Sequence, residues 1–221
     1  MDAETVYELV RRHGIIAIVR GVGEDVIVDI AEALYAGGIR LLEVTCNTAG
    51  FADMIALLRD RTAGRMVIGA GTVITAALCE QALAAGAAYI VAPDTNPDVV
   101  GYCVANDVAV FPGAQTATEI LAAARLGAKI IKIFPASIVG PAGIRQLRGP
   151  IDAVEFLAVG GVNLENIADF ISAGCIGIAI GASVIRKDIV ERRDWPTLAA
   201  EAAKYVAALG ACRRADSGGS R

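Results

Sequence analysis

The 221-residue sequence predicts a single-domain α/β chain folded as a (β/α)8 TIM barrel. Three observations carry that reading. Short apolar runs rich in β-branched residues alternate with Ala-rich segments of helical spacing. The alternation yields eight strand–helix units in about 200 residues, the count of a compact barrel. A Gly-containing helix stop also recurs ahead of every second strand. An open, doubly wound sheet of eight strands accommodates the same alternation.

In chain order, strands are expected at 15–19, 41–45, 66–68, 89–91, 108–111, 130–134, 155–159 and 177–180. Each joins apolar residues that suit a buried pleat. The helical segments between them are 24–35, 51–61, 76–85, 97–105, 117–126, 164–172 and 197–209. The stops Ala36-Gly37-Gly38, Ala85-Gly86-Ala87, Leu126-Gly127-Ala128 and Ala173-Gly174-Cys175 each precede a strand, where glycine in the left-handed conformation ends a helix. They recur every two βα units, an internal echo that fits a toroid of parallel strands. The barrel is assigned to residues 1–212. The polar, Gly/Ser-rich stretch 213–221 reads as a disordered tail.

A hydrophobic fraction of 55% excludes a disordered chain, and the 5% aromatic content leaves a core of Ala, Val, Ile and Leu. The net charge is −4 and no Lys/Arg-rich stripe is present, which argues against a nucleic-acid partner. The longest uncharged runs are broken by Gly and Thr, so no membrane span is expected. The opening MDAETVYELVRR has no signal-type apolar run, and Cys46, Cys79, Cys103, Cys175 and Cys212 form no CxxC pair. Both features suit reduced thiols in a cytoplasmic protein. A single histidine, His13, leaves no His-based metal site and no Ser-His-Asp triad, and it precedes the first strand, at the end of the barrel away from the catalytic face. It is expected on the surface.

In this architecture chemistry sits at the C-terminal ends of the strands. The second strand, Leu41-Leu42-Glu43-Val44-Thr45, places Glu43 on one face with Leu41 and Thr45. A carboxylate inside an apolar strand is either half of a structural ion pair or a desolvated general acid–base group. The sixth strand, Lys129-Ile130-Ile131-Lys132-Ile133-Phe134, places Lys132 on the face of Ile130 and Phe134 and Lys129 on the opposite one. A lysine among isoleucines loses proton affinity and can attack a carbonyl to form a Schiff base. A salt bridge from Lys132 to Glu43 fits the same pattern.

Strand seven ends in Gly160-Gly161 and strand eight in Gly181-Ala182-Ser183, with Asn163 expected to open a helix. Two adjacent glycine turns in that position suit a phosphate. Arg20 closes strand one on the face of Ile16 and Ile18 and could clamp an anion or make a surface ion pair. Thr72, after Gly69-Ala70-Gly71, offers a hydroxyl to a small substrate, and Cys46 stands near the pocket without a base beside it.

Lys132-Ile133-Phe134-Pro135-Ala136 resembles the K-x-F-P-[AS] signature of the class I 2-keto-3-deoxy-6-phosphogluconate (KDPG) aldolases. The likeness extends over nearly the whole chain. It takes in Glu43-Val44-Thr45, Gly69-Ala70-Gly71-Thr72-Val73, Ala92-Pro93, Pro112-Gly113, Thr118-Glu119, Gly160-Gly161-Val162 and Gly181-Ala182-Ser183. The resemblance implies a cytoplasmic, homotrimeric barrel that cleaves a phosphorylated keto acid to pyruvate and glyceraldehyde 3-phosphate without cofactor or metal. It implies that Lys132 forms the imine, that Glu43 moves protons and that Arg20 and Thr72 hold the pyruvyl end. Phe134 and Pro93 would then shape the pocket, and Gly160, Gly161, Gly181 and Ser183 receive the phosphate. At Asn47 part of the family has Arg, and Asn resembles the branch acting on the galactonate epimer. A 4-hydroxy-2-oxoglutarate aldolase, a thiamine-phosphate synthase or sugar-phosphate isomerase, and a non-catalytic sugar-phosphate-binding barrel are the competing readings. Lys132 weighs against the barrels that need no buried lysine.

Overall fold

The computed structural model describes residues 1–218, with side chains through residue 215. Its strands are β1 (Ile15–Val19), β2 (Leu41–Thr45), β3 (Val67–Gly71), β4 (Tyr89–Val91), β5 (Ala109–Phe111), β6 (Gly113–Ala114), β7 (Ile130–Ile133), β8 (Glu155–Val159) and β9 (Cys175–Ile180). All pairings are parallel, in the order β5-β4-β3-β2-β1-β9-β8-β7-β6. Only Pro112 separates β5 from β6, so the two ends of that order are halves of one barrel strand and the sheet closes on itself. Proline has no N–H for the ladder. Its carbonyl still accepts the Lys132 amide at 2.9 Å, which carries the seam across the break.

The two-residue period divides the core into two layers. Ile16, Leu41, Val67, Tyr89, Phe111, Ile130 and Leu157 fill the barrel interior. Their neighbours Ala17, Leu42, Ile68, Ile90, Val110, Ile131 and Ala158 pack outward against the helices. The outer helices are α2 (Glu24–Ala36), α3 (Phe51–Thr62), α4 (Ala76–Ala84), α5 (Pro97–Ala105), α6 (Ala117–Arg125), α7 (Ala136–Arg148), α8 (Ile167–Ser172), α9 (Lys187–Glu191) and α10 (Trp195–Gly218). The expected helix stops hold: Gly38, Gly86, Gly127 and Gly174 have φ of 96°, 100°, 100° and 99°.

An additional helix, α1 (Ala3–His13), precedes the barrel. Asp2 caps it by accepting the Thr5 amide at 2.8 Å, and Val6, Tyr7 and Val10, spaced on one face, plug the barrel's N-terminal mouth. Tyr7 packs edge-on to Phe111, with ring centroids 5.7 Å apart. His13 ends this helix half-buried rather than on the surface, and burial lowers its proton affinity.

Four further departures from the sequence reading have local causes. Strand β3 runs on to Gly71, because Gly69 and Gly71 leave room for side chains of the neighbouring strands. Helix α8 starts at Ile167; Asn163 opens a turn instead, its Oδ1 accepting the Glu165 and Asn166 amides at 2.9 and 3.2 Å. Helix α7 spans a kink at Gly140, whose φ of 68° and ψ of 162° are not helical. The expected tail begins inside α10, which continues to Gly218; residues 219–221 of that tail lie outside the described residues. Arg213 ties this helix end to the barrel by donating to the carbonyls of Arg12 (2.7 Å) and Ile176 (2.6 Å). No helix among the described residues is long and apolar enough to cross a membrane.

Candidate active site

Strand β7 points Lys132 into the interior, one residue before the chain leaves the sheet. The side chain is 5% exposed, and Nζ lies 4.5 Å from the centre of the Phe134 ring. Burial, and secondarily Arg20, pull Lys132 below the ordinary lysine range, with Glu43 acting against them. The neutral amine is therefore populated at a pH where a solvated lysine is almost wholly protonated. Lys129 points away and pairs with Glu4 of α1 at 2.7 Å.

Glu43 on β2 is 1% exposed. Burial raises its proton affinity, and the positive charges of Lys132 and Arg20 oppose that rise. Among the described residues no ion pair within 4.0 Å joins Glu43 to Lys132. The two charges act on each other across the interior without ion-pair contact, so the structural salt bridge is not formed. Oε2 of Glu43 is buried with no hydrogen-bond partner. The carboxyl leans over Gly71, where any Cβ would overlap it. A glycine at the end of β3 is thus a requirement of the site.

Arg20 follows β1 and donates to Oγ1 of Thr72 at 3.2 Å. Thr72 has φ of 58°, a left-handed conformation that a β-branched residue adopts only under strain. That conformation holds the hydroxyl toward Arg20 at the rim. The turn after β2 is fastened to the same rim, since Thr48 Oγ1 accepts the Gly21 amide at 3.0 Å and lies 3.0 Å from Thr45 Oγ1.

The glycine turns form the opposite wall. Gly160 and Gly161 have φ of 87° and 78°, so both need the freedom glycine provides. Asn166 Nδ2 donates to the Gly161 carbonyl at 2.9 Å and fixes this turn. After β9 the Gly181 carbonyl accepts the amides of Val184 (2.9 Å) and Ile185 (2.8 Å). A cleft of about 350 Å³ brings together Arg20, Lys132, Phe134, Gly160, Gly161, Gly181 and Ser183.

Four sequence-selected residues, Glu43, Thr72, Pro93 and Asn47, lie outside its lining, Glu43 being buried with its carboxyl against Gly71. Thr72 reaches the cleft through Arg20. Pro93 is half-buried after β4 and packs its carbonyl against Gly113, at the seam beside Lys132. Asn47 is exposed on the turn after β2, at the rim. The sequence reading missed Ile18, Asn163 and Ala182, which line the cleft, and Ser137, against which Gly161 is packed. Ser137 directly follows the Lys132–Ala136 motif, the one signal that points to it. Cys46 is no nucleophile, since burial and the neighbouring Glu43 push its thiol up to about 12.

A desolvated lysine beside a desolvated carboxylate, at the catalytic end of a parallel barrel, defines a class I, Schiff-base-forming carbon–carbon lyase. The sequence model of the KDPG and KHG aldolase family matches residues 6–200. The 2-dehydro-3-deoxy-phosphogluconate aldolase of Treponema pallidum (strain Nichols) is 39% identical over 76% of this chain and 80% of its own. The 2-dehydro-3-deoxy-6-phosphogalactonate aldolase of Escherichia coli (strain K12) is 35% identical over 78% and 84%. A solved structure described as native KDPGal superposes with a TM-score of 0.84 at 31% identity, covering 90% of this chain and 96% of that one. The chain belongs to the KDPG and KHG aldolase family.

Proposed function

We propose that this aldolase cleaves 2-keto-3-deoxy-6-phospho sugar acids of both gluconate and galactonate configuration to pyruvate and glyceraldehyde 3-phosphate. One observation carries the assignment: the buried Lys132 amine opens on a cleft whose far wall is the pair of glycine turns. The neutral amine attacks the C2 ketone, and loss of water leaves an iminium ion. Glu43 takes the C4 hydroxyl proton, directly or through water. The C3–C4 bond then breaks, with its electrons drawn into the iminium to form an enamine. Reprotonation at C3 and hydrolysis of the imine release pyruvate and restore Lys132. Arg20 and Thr72 hold the pyruvyl carboxylate, Phe134 and Pro93 shape the pocket, and Gly160, Gly161, Gly181 and Ser183 receive the phosphate. The proposed assembly is a cytoplasmic homotrimer, and the mass of the assembly in solution, against a chain of 22.8 kDa, tests the trimer.

Asn47, at the rim, is neutral and both donates and accepts hydrogen bonds, so it tolerates either orientation of the C4 hydroxyl. The expected kcat/KM values for the two epimers lie within about tenfold, about 1.4 kcal/mol of discrimination. Parallel steady-state kinetics with pyruvate release coupled to a dehydrogenase measures this. A preference beyond about a hundredfold would overturn dual specificity.

The phosphate assignment has its own test. Substitution of Gly161 would confound it, because φ is 78° there and a Cβ would press on Ser137. Ser183→Asp instead sets a carboxylate beside the turn without altering a glycine. KM for the phosphorylated substrate should rise at least about tenfold, about 1.4 kcal/mol. Unphosphorylated 4-hydroxy-2-oxoglutarate should be affected much less. Equal losses on both substrates would remove the phosphate from this turn.

A further inference from the structure

The inward positions of β3 above Val67 carry no side chains. A Cβ on Gly69 would overlap the Tyr89 ring, and one on Gly71 the Glu43 carboxyl. Glu43 stands opposite Gly69, and Ala70 opposite Ile90 puts Tyr89 in the same row from the other side. β3 is thus a hollow between β2 and β4, entered by Glu43 from one side and by Tyr89 from the other.

Tyr89 has no exposed surface, and its hydroxyl has no hydrogen-bond partner. Only three buried side-chain polar atoms among the described residues lack one: Glu43 Oε2, Thr62 Oγ1 and Tyr89 Oη. Two of the three belong to the side chains that enter this hollow. Burying an unpaired hydroxyl costs stability, and a phenylalanine would fill the same volume without that cost. Phe111, packed edge-on to Tyr89 at 5.6 Å, fills the neighbouring position that way.

We propose that Tyr89 is a positioning residue for Glu43, its hydroxyl donating to the carboxylate through one bridging water. The inference rests on the acid–base role proposed for Glu43. The other groups facing that carboxyl are Lys132 of β7, Arg20 after β1 and the Cys46 thiol after β2. Lys132 and Arg20 supply charge, whereas Tyr89 supplies a neutral, fixed donor. Burial and the nearby Glu43 hold the Tyr89 hydroxyl protonated well above the usual tyrosine range, so it stays a donor throughout the working pH range. The one further tyrosine beside this layer, Tyr7, is engaged elsewhere, its oxygen accepting the Val110 amide at 3.2 Å. A donor to the charged form favours ionised Glu43 and fixes its orientation for the C4 proton.

The test uses the full chain carrying Tyr89→Phe, Glu43→Gln or both. In Tyr89→Phe the acid limb of the kcat–pH profile should move up by about one unit, and kcat near neutrality should fall about tenfold with KM within about twofold. The Glu43 carboxyl itself, titrated by isotope-edited infrared spectroscopy without substrate, should move up by a similar amount. In the Glu43→Gln background the second change should add little. An unmoved profile and an unmoved carboxyl titration beside a crippled Glu43→Gln enzyme would make Tyr89 a core filler and overturn this inference alone. A Glu43→Gln enzyme that keeps its turnover would overturn the role of Glu43, and the inference with it.

Discussion

Replacing Lys132 with methionine should abolish pyruvate release and, with it, the adduct that borohydride traps on the wild-type enzyme in the presence of pyruvate. Among the described residues no other amine lines the cleft. Lys129 is the near neighbour in sequence, but it faces the opposite side and holds Glu4 at 2.7 Å, so Lys129→Ala should retain nearly full activity. Methionine fills the space of the lysine stem, and the variant should still unfold cooperatively because a costly buried cation has been removed. In the wild type the trapping rate should rise with pH through a value below the ordinary lysine range, since burial and Arg20 both disfavour the ammonium. Peptide mass mapping of the reduced adduct checks the residue. A label on Lys129, or turnover by Lys132→Met, would refute the assignment.

The face of β7 that carries Lys132 was legible in the sequence because a period of two groups it with Ile130 and Phe134 and sets it opposite Ile131, although both faces of the strand are buried. Glu43 was legible for the same reason. The left-handed glycines before alternate strands were also readable, since few residues other than glycine end a helix that way. The end of β3 was not. Gly69 and Gly71 have low strand propensity taken alone, and their place in the strand depends on Tyr89 and Glu43 reaching across from neighbouring strands. Helix α7 was hidden by Gly140 and Pro141, which locally read as loop. The persistence of α10 past residue 212 depends on tertiary bonds from Arg213 to carbonyls of α1 and β9, and Gly14, lacking a Cβ, leaves room for that guanidinium. Composition records none of these contacts. Most of the candidate site could be named from strand ends, whereas the geometry linking Arg20 to Thr72 required the backbone strain at Thr72.

Glu43→Gln isolates proton transfer from shape. The amide keeps the length and hydrogen-bonding reach of the carboxyl, and it fits over Gly71 where a larger group would not. It cannot accept or deliver a full proton. Turnover should therefore fall by about 10²–10⁴-fold, the usual worth of general acid–base catalysis. Imine formation should persist at a reduced rate, so borohydride should still label Lys132. Burial makes Glu43 harder to ionise, while Lys132 and Arg20 pull the other way, so its titration depends on the state of its neighbours. In the proposed mechanism Lys132 becomes an iminium with a fixed positive charge, which favours the ionised carboxylate at the moment a base is needed for the C4 hydroxyl. After cleavage the neutral enamine withdraws that charge, and the carboxyl becomes the better acid for protonating C3. One residue can thus serve as base and then acid because the covalent chemistry on Lys132 alternately creates and removes a positive charge within the same desolvated interior. Single-turnover kinetics separates the steps. The substitution should leave the trapped-adduct amplitude nearly intact and slow glyceraldehyde 3-phosphate release, whereas near-normal turnover would leave Glu43 without a role in proton transfer.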